Sequence, residues 1–190
     1  MTLKEPPRYA VNCCCCDCRQ KLEWCIAQGC PLTAPTNPLK LEYFSNAILD
    51  LKHSENLKSY KLREDGGSTF AVAECCMSMM MIDHVAYAGN LIMVPVDGVK
   101  LKFEDPVESL IQIFCDDWAK KPGAGELPPF DGPSLANFSP EEVAKVPPEL
   151  DIPAKFMKPH GREEGDKSLQ DFIKDVEILG LEEYAPIISI

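Results

Sequence analysis

The stretch Asn12-Cys13-Cys14-Cys15-Cys16-Asp17-Cys18-Arg19 sets five thiols within six residues. Its useful spacing is Cys13-x-Cys15-x-x-Cys18, because alternate residues on extended backbone point the same way and a following turn returns the third sulfur to them. Three converging thiolates suit zinc, which takes sulfur at about 2.3 Å in tetrahedral geometry; three protein ligands leave a fourth position for water or substrate, as catalytic zinc sites do. A bound metal also lowers thiol pKa values, so the ligands bind as thiolates. Cys14 and Cys16 are expected to face away. The competing reading is plain packing: cysteines behave as small buried hydrophobes, and vicinal thiols hold soft metals loosely without function. Spacing alone leaves both open.

Other residues could join such a site. Arg19 offers a guanidinium fork to a substrate carboxylate, or else makes a structural ion pair. His84, in Met81-Ile82-Asp83-His84, could act as a general acid or base, against the ordinary reading of a surface turn histidine. Glu74 could be a base if buried. Trp24, with Phe44, Tyr60 and Phe70, could line a pocket, as could Met77, Met79, Met80 and Met81; separate core positions are the simpler account. Cys25 and Cys30 could hold a second metal with Cys75 and Cys76 if four sulfurs converge.

Elements to position these groups follow from the pattern. Apolar alternation predicts strands over 39–44, 59–63, 69–75, 79–82, 90–96 and 100–103, bounded by turns at Asp65-Gly66-Gly67, Ala88-Gly89-Asn90 and Asp97-Gly98. Residues 107–114 carry apolar positions compatible with helix or strand. At the C-terminal end, Asp166 or Ser168 can cap a helix whose stripe is Leu169, Phe172, Ile173, Val176 and Leu179, with Gly180 as its stop. Nine of the 17 prolines fall between Pro122 and Pro159, so that segment reads as turns and surface-crossing chain. The expected architecture is mainly β and antiparallel: a β domain over 1–132, then a Pro-rich wrapping extension and terminal helix over 133–190.

Composition narrows the partners. The 190 residues carry 19 Lys and Arg against 30 Asp and Glu, a formal net charge of −11, which disfavours nucleic acid. No apolar run of about 18 residues reads as a membrane span, and residues 1–12 contain no apolar signal core. A cytoplasmic protein with reduced thiols is expected, and crowded thiols in that setting point to metal before disulfide.

The Cys13-x-Cys15-x-x-Cys18-Arg19 motif is followed by the Arg63-Glu64-Asp65-Gly66-Gly67 turn, the Cys75-Cys76 element with Ser78 behind it, and a last strand ending near a Pro and a Trp. Together these resemble the glutathione-dependent formaldehyde-activating family, which shares its domain with centromere protein V; the likeness spans 10–132 and suggests a divergent, fungal-looking member. It implies a β-tent (Mss4-like) fold, zinc on the Cys13, Cys15, Cys18 triad, and carbon-sulfur lyase chemistry on a small molecule such as a glutathione adduct. Members of that family usually carry an upstream C-x-C-G pair and a downstream C-x-x-C-G pair that close a second, structural zinc. Here no cysteine precedes Cys13, Ala73 stands in place of Cys76's partner, and Met77 stands where a glycine is usual. One zinc per chain is therefore expected. Leu22-Glu23-Trp24-Cys25 replaces the usual small-residue segment and implies a reshaped pocket, which admits a tailoring lyase, dehydratase or isomerase step in metabolite biosynthesis. A reading of another class is a non-catalytic zinc-binding interaction module.

Overall fold

The computed structural model describes residues 1–32, 38–96, 107–120, 125–157 and 163–183. Its strands are β1 (Thr2–Leu3), β2 (Tyr9–Cys13), β3 (Leu39–Ser45), β4 (Ile48–Asp50), β5 (Leu57–Lys61), β6 (Ser68–Ala73), β7 (Ser78–His84), β8 (Leu91–Pro95), β9 (Ser109–Ile113) and β10 (Val176–Ile178). Eight of them form one mixed sheet in the order β10-β5-β6-β7-β8-β3-β2-β9, while β1 and β4 pair separately. The pairs β10 with β5 and β2 with β9 are parallel; the ladders between them are antiparallel. The fold is mainly β, as the alternation predicts. No helix of the described residues is long and apolar enough to cross a membrane.

Both faces of the sheet are covered, so its central strands are apolar on both sides. In β3, Leu39, Leu41 and Tyr43 enter the larger core, while Phe44 enters a smaller one behind the sheet with Ile48, Ala71, Met81, Ile92, Val94 and Leu169. A bulge between β6 and β7 changes the phase: Val72 pairs with Met79, but Ala71 pairs with Met81. Met80 is the extra residue, and beyond it Ile82 and His84 face the larger core's side.

Helix α1 (Cys16–Ala27) crosses that face over β7. The sequence pattern predicts no helix here. Cys15 supplies the N-cap, its extended backbone at φ −64° and ψ 149° turning the chain into the helix while Asp17 meets the positive end of the helix dipole. Cys18, Leu22 and Cys25 form the buried stripe at i, i+4 and i+7.

One expectation needs correction, and another resolves. The terminal helix is not formed: Leu169–Asp171 makes one 3₁₀ turn with a Ser168/Asp171 capping box, after which Val176–Ile178 joins the sheet beside β5. The ladder groups on the edge of β5 outcompete helix formation, and Leu179 and Leu181 continue the pairing by donating to Lys61 O and Leu62 O, each at 2.9 Å. Residues 109–113 are a strand, and Phe114, at φ 58°, turns it into the short helix α2 (Cys115–Trp118). The expected strand at 100–103 and the Asp97-Gly98 turn lie outside the described residues.

Beyond residue 132 the regular structure of the described residues is limited to 3₁₀ turns, the short helices α3 (Pro140–Val143) and α4 (Ile152–Met157), and strand β10. It is nonetheless packed: Leu135, Val146 and Ile152 are buried in the larger core and Leu169 in the smaller. Met77 has φ 53°, a left-handed conformation that favours glycine.

Candidate metal centre

The last residue of β2 and the first turn of α1 build the triad. Tyr9, Val11 and Cys13 alternate onto the core face, so Cys13 points beneath the helix. Cys15 caps the helix and Cys18 occupies its third position, donating its backbone N–H to Cys15 Sγ at 3.3 Å. The return predicted from spacing is thus a helical turn. All three sulfurs lie within 4.8 Å of one another, with Cys13 and Cys15 Sγ 3.3 Å apart; among the described residues no other cluster could hold a metal.

This donor set fits a soft or borderline cation. Tetrahedral zinc with sulfur at about 2.3 Å needs sulfur–sulfur edges of about 3.8 Å, inside the range seen here. The thiols share their protons unequally. Cys18 is held well below its ordinary value by hydrogen bonds from Cys13 and Cys15. Cys13 is pushed well up by its hydrogen bonds to Cys15 and Cys18 and then by burial. For Cys15 the bond with Cys13 lowers the value, but the bond with Cys18 and burial outweigh it, so Cys15 also rises.

The triad opens on a cavity of about 430 Å³. One wall is apolar, with Leu41, Ile82, Met93 and Ile113 from four strands, and Phe114 and Phe138 close it from beyond β9. Two phenols line it as well: Tyr87 donates to Tyr43 Oη at 3.3 Å, and burial raises both, so both stay protonated near neutral pH. Lys21, 1% exposed, and Arg63 supply the cationic wall. Arg63 is engaged with Asp17 and donates to Gln20 Oε1 at 3.1 Å.

His84 lines this cavity, as the sequence reading proposed. Burial, and after it Lys21, lower its pKa, so the ring is neutral near pH 7. Its Nδ1 accepts the Ala86 N–H at 3.1 Å, which puts the ring proton on Nε2. The ring lies against Gly67, where an added Cβ would stand 2.8 Å from Nε2. The second glycine of the Asp65-Gly66-Gly67 turn therefore serves the close approach of the imidazole.

Arg19 and Trp24 do not line the cavity. Helix geometry gives the reason: at 100° per residue Lys21 returns to the side of Cys18, whereas Arg19 and Trp24 are turned away from it. Arg19 is 8% exposed, its guanidinium 3.9 Å above the Trp118 ring and its Nη2 buried without a hydrogen-bond partner among the described residues. Trp24 packs on Tyr60 and Phe70, with ring centroids 4.5 and 5.8 Å away. Lys21, Tyr43 and Tyr87 went unrecognised in the sequence; the i+3 step from Cys18 would have revealed Lys21 had the helix been seen.

The remaining cysteines divide three ways. Cys14 faces away as expected and hydrogen-bonds Cys115, an arrangement that raises Cys14 and brings Cys115 down to about 7. Cys16, contrary to expectation, lines the cavity, its sulfur 3.7 Å from Glu183 Oε1. No second metal cluster forms from Cys25, Cys30, Cys75 and Cys76: Cys25 is fully buried on α1, while Cys75 and Cys76 sit exposed in the turn before β7. Glu74 is half exposed and paired with Lys58, which leaves it solvated. The chain matches no protein family, no curated protein and no solved structure.

Proposed function

We propose that this protein is a zinc-dependent enzyme that acts on a small molecule in the cavity beside Cys13, Cys15 and Cys18. One observation carries the reading: three convergent thiols form part of the wall of a 430 Å³ cavity, so a metal held there would keep a position toward a ligand. When bound, zinc would supply Lewis acidity toward a substrate thiolate or oxygen. The chain's own residues support the rest. His84 carries its proton at Nε2 and is neutral near pH 7, so it can donate a hydrogen bond from Nε2 to a substrate oxygen or sulfur and stabilise charge that develops there. Tyr43 and Tyr87 remain neutral hydroxyls with Tyr87 donating to Tyr43, and the apolar wall limits water around the reacting atoms.

The reaction class we favour is lyase-type bond making or breaking at a carbon-sulfur bond, following the likeness of the Cys13-x-Cys15-x-x-Cys18-Arg19 motif to the formaldehyde-activating family. A tailoring lyase, dehydratase or isomerase step is the divergent version of the same chemistry. The test has two parts. Elemental analysis should give close to one zinc per chain, lost in Cys15→Ser and kept in Cys14→Ser. Exchange spectroscopy on mixed formaldehyde and glutathione should then show faster exchange with the wild type than with Cys18→Ala. Loss of that difference with zinc in place removes the glutathione reaction; zinc retained in Cys15→Ser removes the site.

A further inference from the structure

We infer that Lys21 is the anion-recognising group of the cavity, and that the substrate is a compact anion with an apolar body. The inference rests on the reading of this cavity as the substrate site of the metal centre.

Lys21 is 1% exposed and lines the cavity, yet Nζ makes no hydrogen bond or ion pair with any described residue. Lysine is almost never fully buried unless paired, so a buried one facing open space calls for a partner. The other cation on the wall is already committed, since Arg63 pairs with Asp17. Asp117, at the rim, pairs with Lys120.

Lys21 lies among the groups that would do chemistry. Its charge acts on Cys15 and Cys18 and on the His84 ring. An anionic ligand atom placed between the triad and Lys21 would meet a positive group on one side and the phenols and aliphatic wall on the other. Carboxylates, thiolates and enolates share that chemistry. The wall from Leu41, Ile82, Met93 and Ile113 offers no set of polar groups for a peptide-like body, so an aromatic or aliphatic one fits better.

Benzoate and its neutral isostere benzamide are the probes, titrated calorimetrically into the zinc-loaded full chain, with zinc content measured in every sample. Wild type should bind benzoate more tightly than benzamide. Lys21→Met, close in volume and uncharged, should weaken benzoate by about 10-fold to 100-fold, the effect of losing one hydrogen bond to a charged group. Its benzamide affinity should move less than about threefold, and its zinc content should stay at the wild-type level. Lys21→Gln, a second neutral variant, should behave as Lys21→Met does if the methionine variant fails to fold. Equal benzoate affinity in wild type and variant overturns the inference, as does wild type with no preference for benzoate. Zinc lost from both neutral variants also overturns it, because Lys21 would then serve the triad. A wild type without zinc whose benzoate binding still depends on Lys21 supports the inference and removes the metal reading alone.

Discussion

Replacing Leu169 by alanine should destabilise the whole sheet although the residue lies far along the chain from the triad. Leu169 is fully buried behind the sheet against Phe44, Ile48, Ala71, Met81, Ile92 and Val94. The change deletes three carbons, worth about 2.4 kcal/mol at about 0.8 kcal/mol each, and the unfilled space raises the cost toward the 2.5–5 kcal/mol usual for leucine to alanine, roughly. For a chain of this length each kcal/mol lowers the melting point by about 2–4 °C, so the midpoint should fall by about 5–20 °C. The effect should reach the site. Leu169 N–H donates to Asn46 Oδ1 at 2.7 Å, Asn46 donates to Gln170 Oε1 at 2.9 Å, and Gln170 donates to Asp83 Oδ2 at 2.6 Å, beside His84. Thermal unfolding followed by circular dichroism reads the first quantity, and amide hydrogen exchange at Asp83 and His84 reads the second. Ile178→Ala, on the exposed edge strand, is the control and should shift the midpoint by less than about 3 °C. A midpoint for Leu169→Ala within about 3 °C of wild type would refute the claim that the C-terminal segment is part of the core.

Glu42→Gln should stabilise the protein at neutral pH: burial raises the Glu42 pKa, so its folded form resists ionisation, and the gain should vanish once the pH falls below the carboxylate range, as pH-dependent denaturant titrations will show. His84 has the opposite linkage. Its pKa is lowered by burial, so its contribution is present above the unfolded imidazole value near 6.5 and is lost as pH falls through the folded value; His84→Gln should flatten that part of the stability profile. Turnover by His84→Ala should drop by roughly 10² to 10³, the range for losing a positioned hydrogen-bond donor, once a substrate is in hand. Gly67→Ala should reproduce much of that loss with little change in melting point, because its Cβ displaces the imidazole rather than the backbone.

The parts legible in the sequence are those fixed by short-range pattern. Three cysteines fall within six residues, so the triad could be read from local geometry alone, and β3 and β5–β8 follow from alternation between glycine turns. Helix α1 was hidden because its capping residue is a cysteine, which the spacing assigned to metal, and because its buried stripe of Cys18, Leu22 and Cys25 is partly sulfur. The C-terminal stripe is real up to Ile173, which packs against the smaller core, but the open edge of β5 decides what Val176–Ile178 become. The β6–β7 bulge, which brings His84 to the cavity, leaves no mark in the alternation of Met79, Met80 and Met81. The cavity walls come from strands far apart in sequence, so neither their apolar character nor Lys21's place among them could be read locally.

X-ray absorption at the zinc edge of the purified full chain counts the sulfur neighbours of the metal without needing a substrate. Three sulfurs at about 2.3 Å and one lighter neighbour are expected, with benzoate altering the lighter shell only. Four sulfurs, or a zinc held by nitrogen and oxygen alone, would contradict an open three-thiolate centre.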